Sequence, residues 1–255
     1  MLLAIDIGNT ETTIGVFRDE TLVKRWRLTT RSDRTPDELR TQFNQLLTLD
    51  RVSCDAITNV AISCVVPPIL PTYTEMVKAQ FSTEPMVVGP GIKTGMPILY
   101  DSPKEVGADR IVNAVAAYSR FPSELILVDF GTATTFDHVT AKGEYAGGTI
   151  VPGIQIAANA LFQNTAKLPR VEIIQPARVI GRNTVESIQS GLYYGYASMV
   201  DGMVLRMTDE IQTRATVVAT GGLAPRIATA ARTIQHVIPE LTLEGLRILF
   251  ARNSK

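Results

Sequence analysis

The sequence predicts an α/β protein built from two copies of one unit, each a mixed five-stranded sheet with helices. Two observations carry this. The runs LLAIDIGNTETTIGVF (2–17) and LILVDFGTATTFDHV (125–139) share one order: apolar strand, Asp, a turn at Gly, and a second strand. Aligning Asp6 with Asp129 also aligns Gly8 with Gly131, and the strand and helix signals after each phrase follow a similar order. The 255 residues suit two domains of roughly 100 to 150 residues. The boundary is expected near Phe121-Pro122, giving domains 1–120 and 121–255. Two such domains face to face would leave a cleft between them, a usual place for a ligand.

The elements follow in order. Leu2 to Ile7 is a short apolar run ending at Gly8, with Thr12–Phe17 and Leu22–Leu28 as two further strands around an Arg18-Asp19-Glu20 turn. Thr35-Pro36-Asp37-Glu38 opens a helix with Pro in its first turn, and Leu39, Phe43, Leu46 and Leu47 recur at helical spacing. A strand over Asn59–Val66, a helix over Pro68–Phe81 and a strand over Met86–Val88 complete a β-β-β-α-β-α-β unit. Gly89–Val106 is rich in Pro and Gly and reads as a surface loop. Ala108–Tyr118 is helical.

The second copy places strands over Leu125–Asp129, Thr134–Val139 and Gly143–Ile150. Helices over Gln155–Phe162 and Thr184–Ile211 follow, the latter long enough to break. A strand over Thr216–Ala219 ends in Thr220-Gly221-Gly222, and a helix, a strand and a helix finish the chain.

Composition narrows the function. Lys+Arg 25 balances Asp+Glu 25, so no net field calls for nucleic acid or an anionic membrane. Cys54 and Cys64, with only His138 and His236 elsewhere, do not match a zinc site. The start MLLAID lacks the basic and long apolar segments of a signal peptide. No run of about 20 apolar residues spans a membrane, and a cytoplasmic protein is expected.

The repeated phrase has a chemistry. A strand ending in Asp-x-Gly presents a carboxylate at its tip and a row of backbone N–H groups suited to an anion. Gly permits close approach, and Thr10, Thr12 and Thr13 add hydroxyls. A carboxylate beside phosphate needs a cation between them, and magnesium suits both. The same residues also make plain hairpin turns, but two copies after buried strands favour a site. Neither the P-loop pattern nor the Rossmann fingerprint occurs, so a nucleotide would be held by another architecture.

A duplicated unit with Asp-x-Gly hairpins resembles the acetate and sugar kinase, Hsp70 and actin superfamily, whose units are ribonuclease H-like (actin-like ATPase) domains. Within it, DIGNT (6–10), GADR (107–110), DFGTATTFD (129–137), GGTIVPG (147–153) and GRNT (181–184) resemble type III pantothenate kinase. The resemblance implies ATP-dependent phosphorylation of pantothenate to 4′-phosphopantothenate, the first step of coenzyme A synthesis. It implies an ATP-phosphate loop at Asp6, Ile7, Gly8, Asn9, Thr10, Glu11, Thr12 and Thr13, with Thr132 as a further ATP contact. It implies Asp109 as general base, and a substrate site at Tyr100, Gly107, Ala108, Asp109, Arg110 and Thr184. It places K⁺ or NH₄⁺ at Asp129 and Mg²⁺ near Asp6.

The resemblance also implies a homodimer. Residues 191–198 mix Gly191 and Gly195 with Tyr193, Tyr194 and Tyr196 on a helix, which suits a dimer contact or packing within one subunit. A non-catalytic regulatory protein on the same scaffold, or a kinase for another small hydroxyl acceptor, stays as an alternative. The set Asp6, Asp109, Arg110 and Asp129 favours a kinase, because a binding module needs no base.

Overall fold

The computed structural model describes residues 1–254. It holds two five-stranded mixed sheets of one topology. In the first, β1 (Leu2–Ile7), β2 (Glu11–Arg18) and β3 (Thr21–Thr29) form an antiparallel meander. Then β4 (Asn59–Cys64) and β5 (Met86–Val87) add in parallel, giving the order β3-β2-β1-β4-β5. In the second, β6 (Leu125–Phe130), β7 (Ala133–Val139) and β8 (Tyr145–Pro152) make the meander. Then β9 (Thr216–Thr220) and β10 (His236–Val237) extend it in parallel, giving β10-β9-β6-β7-β8.

Local chemistry explains the helices. Thr35 caps α1 (Pro36–Leu49) with a full capping box: its hydroxyl accepts the Glu38 N–H, and Glu38 accepts the Thr35 N–H at 2.8 Å. Leu39, Phe43 and Leu47 face the sheet at helical spacing. A 3₁₀ turn at Pro67–Ile69 leads into α2 (Leu70–Phe81), so the helix expected from Pro68 has a tighter entry. On this face Leu3, Ile5, Ile7, Ile14 and Val16 pack with Tyr73, Met76 and Val77. The edge strand β3 carries Lys24, Arg25 and Arg27, charges that discourage edge-to-edge pairing.

In the second unit, α4 (Ile154–Gln163) follows β8 and α5 (Thr184–Ile211) is capped by Asn183, which accepts the Glu186 N–H at 2.9 Å. The 28 residues of α5 form one continuous helix, although its length left room for a break. Its apolar side, with Ile188, Leu192, Tyr193, Ala197, Val200 and Val204, packs on Ile126, Val128, Phe130 and Phe136. A short α6 (Ala224–Ile227) precedes β10.

The chain divides into two compact units, but not at one point. The first contains Met1–Gly95, Asp101–Ala116 and the chain from Thr242 onward; the second contains Met96–Tyr100 and Ala117–Leu241. The helix α3 (Ala108–Arg120) spans the division, and α7 (Leu241–Asn253) belongs mainly to the first unit rather than to a 121–255 domain. Side chains explain the return. Leu243 lies over Gly15, where any Cβ would come within 2.8 Å of it. Thr242 donates to Asn113 Oδ1 at 2.7 Å, and Gly245 lets its helix touch the backbone at Val112 of α3. Met96–Tyr100 joins the second unit because Tyr145 donates its N–H to the Pro97 carbonyl and accepts from the Leu99 N–H, both at 2.8 Å.

Candidate active site

Both Asp residues of the repeated phrase stand at the penultimate position of a central strand. Asp6 is in register with Thr13 on β2 and Ser63 on β4. Asp129 is in register with Thr135 on β7 and Thr220 on β9. Residues in register share a sheet face, so each carboxylate is flanked by hydroxyl side chains. Ser63 and Thr220 were not among the expected site residues. Their signal is a hydroxyl residue at the end of the next parallel strand in each copy.

The first turn is closed by the Gly8 N–H donating to the Glu11 carbonyl at 3.0 Å. A Cβ on Gly8 would meet that oxygen at 2.9 Å, so the turn requires Gly. Asn9, Thr10 and Glu11 are exposed, while Ile7 and Thr12 are buried. The Thr12 hydroxyl bonds Tyr73 Oη at 3.1 Å and Thr30 Oγ1 at 3.0 Å. Of the three hydroxyls expected at this loop, Thr12 therefore braces it from behind, and Thr10 and Thr13 are the accessible ones.

In the second turn the Gly131 N–H donates to the Ala133 carbonyl at 3.1 Å. Two glycines outside the repeated phrase make room for it. A Cβ on Gly221 (φ +92°) would lie 2.5 Å from Asp129 Oδ1. Gly153 donates its N–H to the Thr132 carbonyl at 3.1 Å, and a Cβ there would collide with the same oxygen. The sequence signals were the Thr220-Gly221-Gly222 and GGTIVPG runs.

Asp109 sits in the first turn of α3. Its Oδ1 accepts the Arg110 N–H at 2.8 Å and folds back against Gly107, where a Cβ would come within 2.5 Å of it. Burial pushes its carboxyl above the usual carboxylate range, against the lowering pull of the Arg110 N–H and guanidinium charge. A carboxylate with a raised pKa at the start of a helix is suited to accept a proton. Arg110 is only 7% exposed, so its charge stands beside Asp109 largely shielded from bulk solvent. On β1 and β2, Asp6 shares the sheet face of Ala4 and Gly15, the face that α7 covers. With α3 packed on α7, Asp6 and Asp109 both belong to that side of the first sheet.

Tyr100 lies in the second unit, its ring 6.5 Å from that of Tyr145. Thr184 is exposed at the start of α5, after the GRNT turn. A concavity of about 360 Å³ lined by Arg31, Asp33, Arg34, Glu38, Thr41 and Gln42 involves none of the expected site residues.

With this geometry in place, the chain was compared with known proteins. The family model of type III pantothenate kinase matches residues 2–206. A curated type III pantothenate kinase from Syntrophotalea carbinolica is 55% identical, with 99% of each chain covered. This chain belongs to the type III pantothenate kinase family. Among solved structures, a conserved Campylobacter jejuni protein assigned to the Baf family of transcriptional activators aligns at TM-score 0.61 and 17% identity, covering 99% of this chain and 98% of that one. The activator of 2-hydroxyisocaproyl-CoA dehydratase from Clostridium difficile, with bound ADPNP, aligns at TM-score 0.58 and 13% identity, covering 99% and 94%. Both likenesses are of fold, and they agree with duplicated ribonuclease H-like domains.

Among the described residues no group of three or more His, Cys, Asp and Glu gathers as a metal centre. Each tip instead offers one carboxylate with hydroxyls and turn backbone nearby, a weak oxygen donor set. That fits a hard cation completed by phosphate oxygens or water. Among the described residues no helix is long and apolar enough to cross a membrane.

Proposed function

We propose that the chain transfers the γ-phosphoryl group of ATP to the primary hydroxyl of pantothenate, giving 4′-phosphopantothenate and opening coenzyme A biosynthesis. The observation that carries this is 55% identity across 99% of the chain to a pantothenate kinase of the same family. The ADPNP bound by a protein of the same fold supports nucleotide use. The cytoplasm, where ATP is plentiful, is the compartment we infer.

Phosphoryl transfer asks mainly for positioning and charge stabilisation. Asp109 takes the proton of the attacking hydroxyl; its raised carboxyl pKa and its position before Arg110 support the role. Arg110 presents a planar fork to the pantothenate carboxylate, and Gly107, Ala108, Tyr100 and Thr184 shape the rest of the acceptor site. The turn Asp6–Thr13 aims exposed N–H groups at the phosphates, with Thr132 as a second contact. Mg²⁺ near Asp6 would shield phosphate charge, and K⁺ or NH₄⁺ at Asp129 would complete the charge balance.

We infer a homodimer formed through the second unit. Its support is open space along one side of α5. Added Cβ atoms at Gly191, Gly195 and Gly202 would meet nothing within 4 Å, and Val185 and Leu205 are exposed on the same helix. The tyrosines there serve their own subunit: Tyr193 bonds Thr229 at 2.6 Å and Tyr196 donates to the Pro152 carbonyl at 2.8 Å. The glycines, rather than the tyrosines, thus offer close approach to a second helix.

The test is ADP release with pantothenate, ATP and Mg²⁺, with and without K⁺ or NH₄⁺, alongside other small alcohols as acceptors. Pantothenate-dependent release that needs the monovalent cation is the expected result. ATP binding without any pantothenate phosphorylation would reject the reading.

A further inference from the structure

One carboxylate of the DFGTATTFD phrase has no part in the scheme above. Asp137 is 1% exposed on β7 and in register with Leu127, so it lies on the same sheet face as Asp129. Its two oxygens are both engaged. Tyr145 donates its hydroxyl to Oδ1 at 2.5 Å, and Thr135 donates to Oδ2 at 3.2 Å. Thr135 is the register partner of Asp129. Tyr145 is fully buried and is the residue that holds the Tyr100 segment. Its backbone bonds Pro97 and Leu99, and its ring tilts at 53° against the Tyr100 ring. Gly147, two residues on, has a Cβ position 3.8 Å from the Tyr100 ring, which leaves that ring lying on bare backbone.

A fully buried carboxylate is costly unless its hydrogen bonds are met, and a core Phe at position 145 would pack without one. The polar pair therefore fixes something that packing alone would leave loose. We propose that Asp137 and Tyr145 are positioning residues that set the Tyr100 ring for the acceptor, through two hydrogen bonds onto Asp137, from Thr135 and Tyr145, and the ring contact of Tyr145 with Tyr100. This rests on the reading of Tyr100 as a pantothenate contact. Neither Asp137 nor Tyr145 touches substrate; they act through the ring they hold.

The experiment is a double-variant cycle on KM for pantothenate, with kcat and KM for ATP measured beside it. Tyr145→Phe keeps the ring and deletes the hydroxyl. It is expected to raise KM for pantothenate about tenfold, with kcat and KM for ATP within about twofold. Asp137→Asn keeps an acceptor for Tyr145 but withdraws the charge, and is expected to raise KM for pantothenate by less than Tyr145→Phe does. In a Tyr100→Ala background, already raised in KM, Tyr145→Phe should add nothing, because its route is gone. Should Tyr145→Phe alone fold poorly around the buried charge, the pair Asp137→Asn with Tyr145→Phe replaces it.

Hydrogen exchange over residues 97–100 gives a readout independent of activity and should quicken in the Tyr145 variants. The proposal is overturned if Tyr145→Phe leaves KM unchanged while Tyr100→Ala raises it, or if the two effects multiply. If Tyr100→Ala leaves KM unchanged, the Tyr100 reading itself has failed and the positioning role falls with it. In that case the kinase assay still reports on the function separately.

Discussion

The two Asp-Gly tips share a backbone plan and differ in detail. The first turn runs from Gly8 to the Glu11 carbonyl and the second from Gly131 to Ala133, one residue shorter. Register shows the consequence: Ile7 pairs with Thr12, whereas Phe130 pairs with Thr134. The counterpart of Thr12 is thus Thr134, although aligning the two Asp residues suggests Thr135. The wider first turn exposes three residues, enough amides for a phosphate group. The narrower second turn leaves its carboxylate against Gly221, with no side chain in between. At the matching place in the first unit stands Cys64, next to Ser63 as Gly221 is next to Thr220. Burial pushes its thiol pKa up, with the Asp6 charge adding to the effect. We propose that the wider tip holds an anion and that the narrower one bares its carboxylate for a cation.

The largest expected effect lies outside both tips, which is how the comparison can be broken. Asp109→Asn should lower kcat by roughly 10²- to 10⁴-fold, the usual weight of a general base, while either tip retains its ligand. Its stability should move the other way. Burial raises the folded-state pKa of Asp109, so the linked stability is fully present below the unfolded pKa and lost as pH rises through the folded one. At neutral pH the ionised group destabilises the fold, and the Asn variant should melt higher in calorimetry. In the wild type, kcat/KM should fall on the acid side at a pH above that of an ordinary Asp.

Next comes Gly221→Ala. It places a methyl on the Asp129 carboxylate at a positive φ, and about 1–3 kcal/mol of stability should be lost from the backbone strain alone. Activation by K⁺ should weaken with it. Cys64→Ala at the first tip should leave both nearly unchanged.

The smallest expected effect on function, confined to stability, separates Thr12 from Thr134. Thr12→Val strands the buried Tyr73 hydroxyl and should cost about 1–3 kcal/mol. Thr134 Oγ1 is buried with no hydrogen-bond partner among the described residues, so Thr134→Val should be neutral or stabilising. Chemical denaturation of the two variants reads the difference.

Much of this was legible in the sequence where local physics governs. The helix start at Thr35-Pro36, the apolar runs into Asp6 and Asp129, and the Asp109 helix start each follow from a few neighbouring residues. The return of α7 to the first unit was not, because Leu243 over Gly15 is a contact between residues 228 positions apart by number (243 − 15). Strands β5 and β10 are two residues each and carry little period of their own. The shortened second turn was hidden because Thr occupies both 134 and 135. The Thr12 hydroxyl looked like a ligand donor because nothing local announces Tyr73 behind it. Gly153 and Gly221 stood in recognised runs, but what they clear is visible only once their neighbours are in place.

The central claim is that the tips hold different charges, and the monovalent-cation dependence of ADP release tests it most directly. Asp129→Asn should lose K⁺ activation, or shift its half-saturating concentration up by at least about tenfold, with the Mg²⁺ dependence unchanged. Asp6→Asn should do the reverse. An Asp129→Asn enzyme with wild-type K⁺ activation, or equal shifts in both variants, would contradict the account.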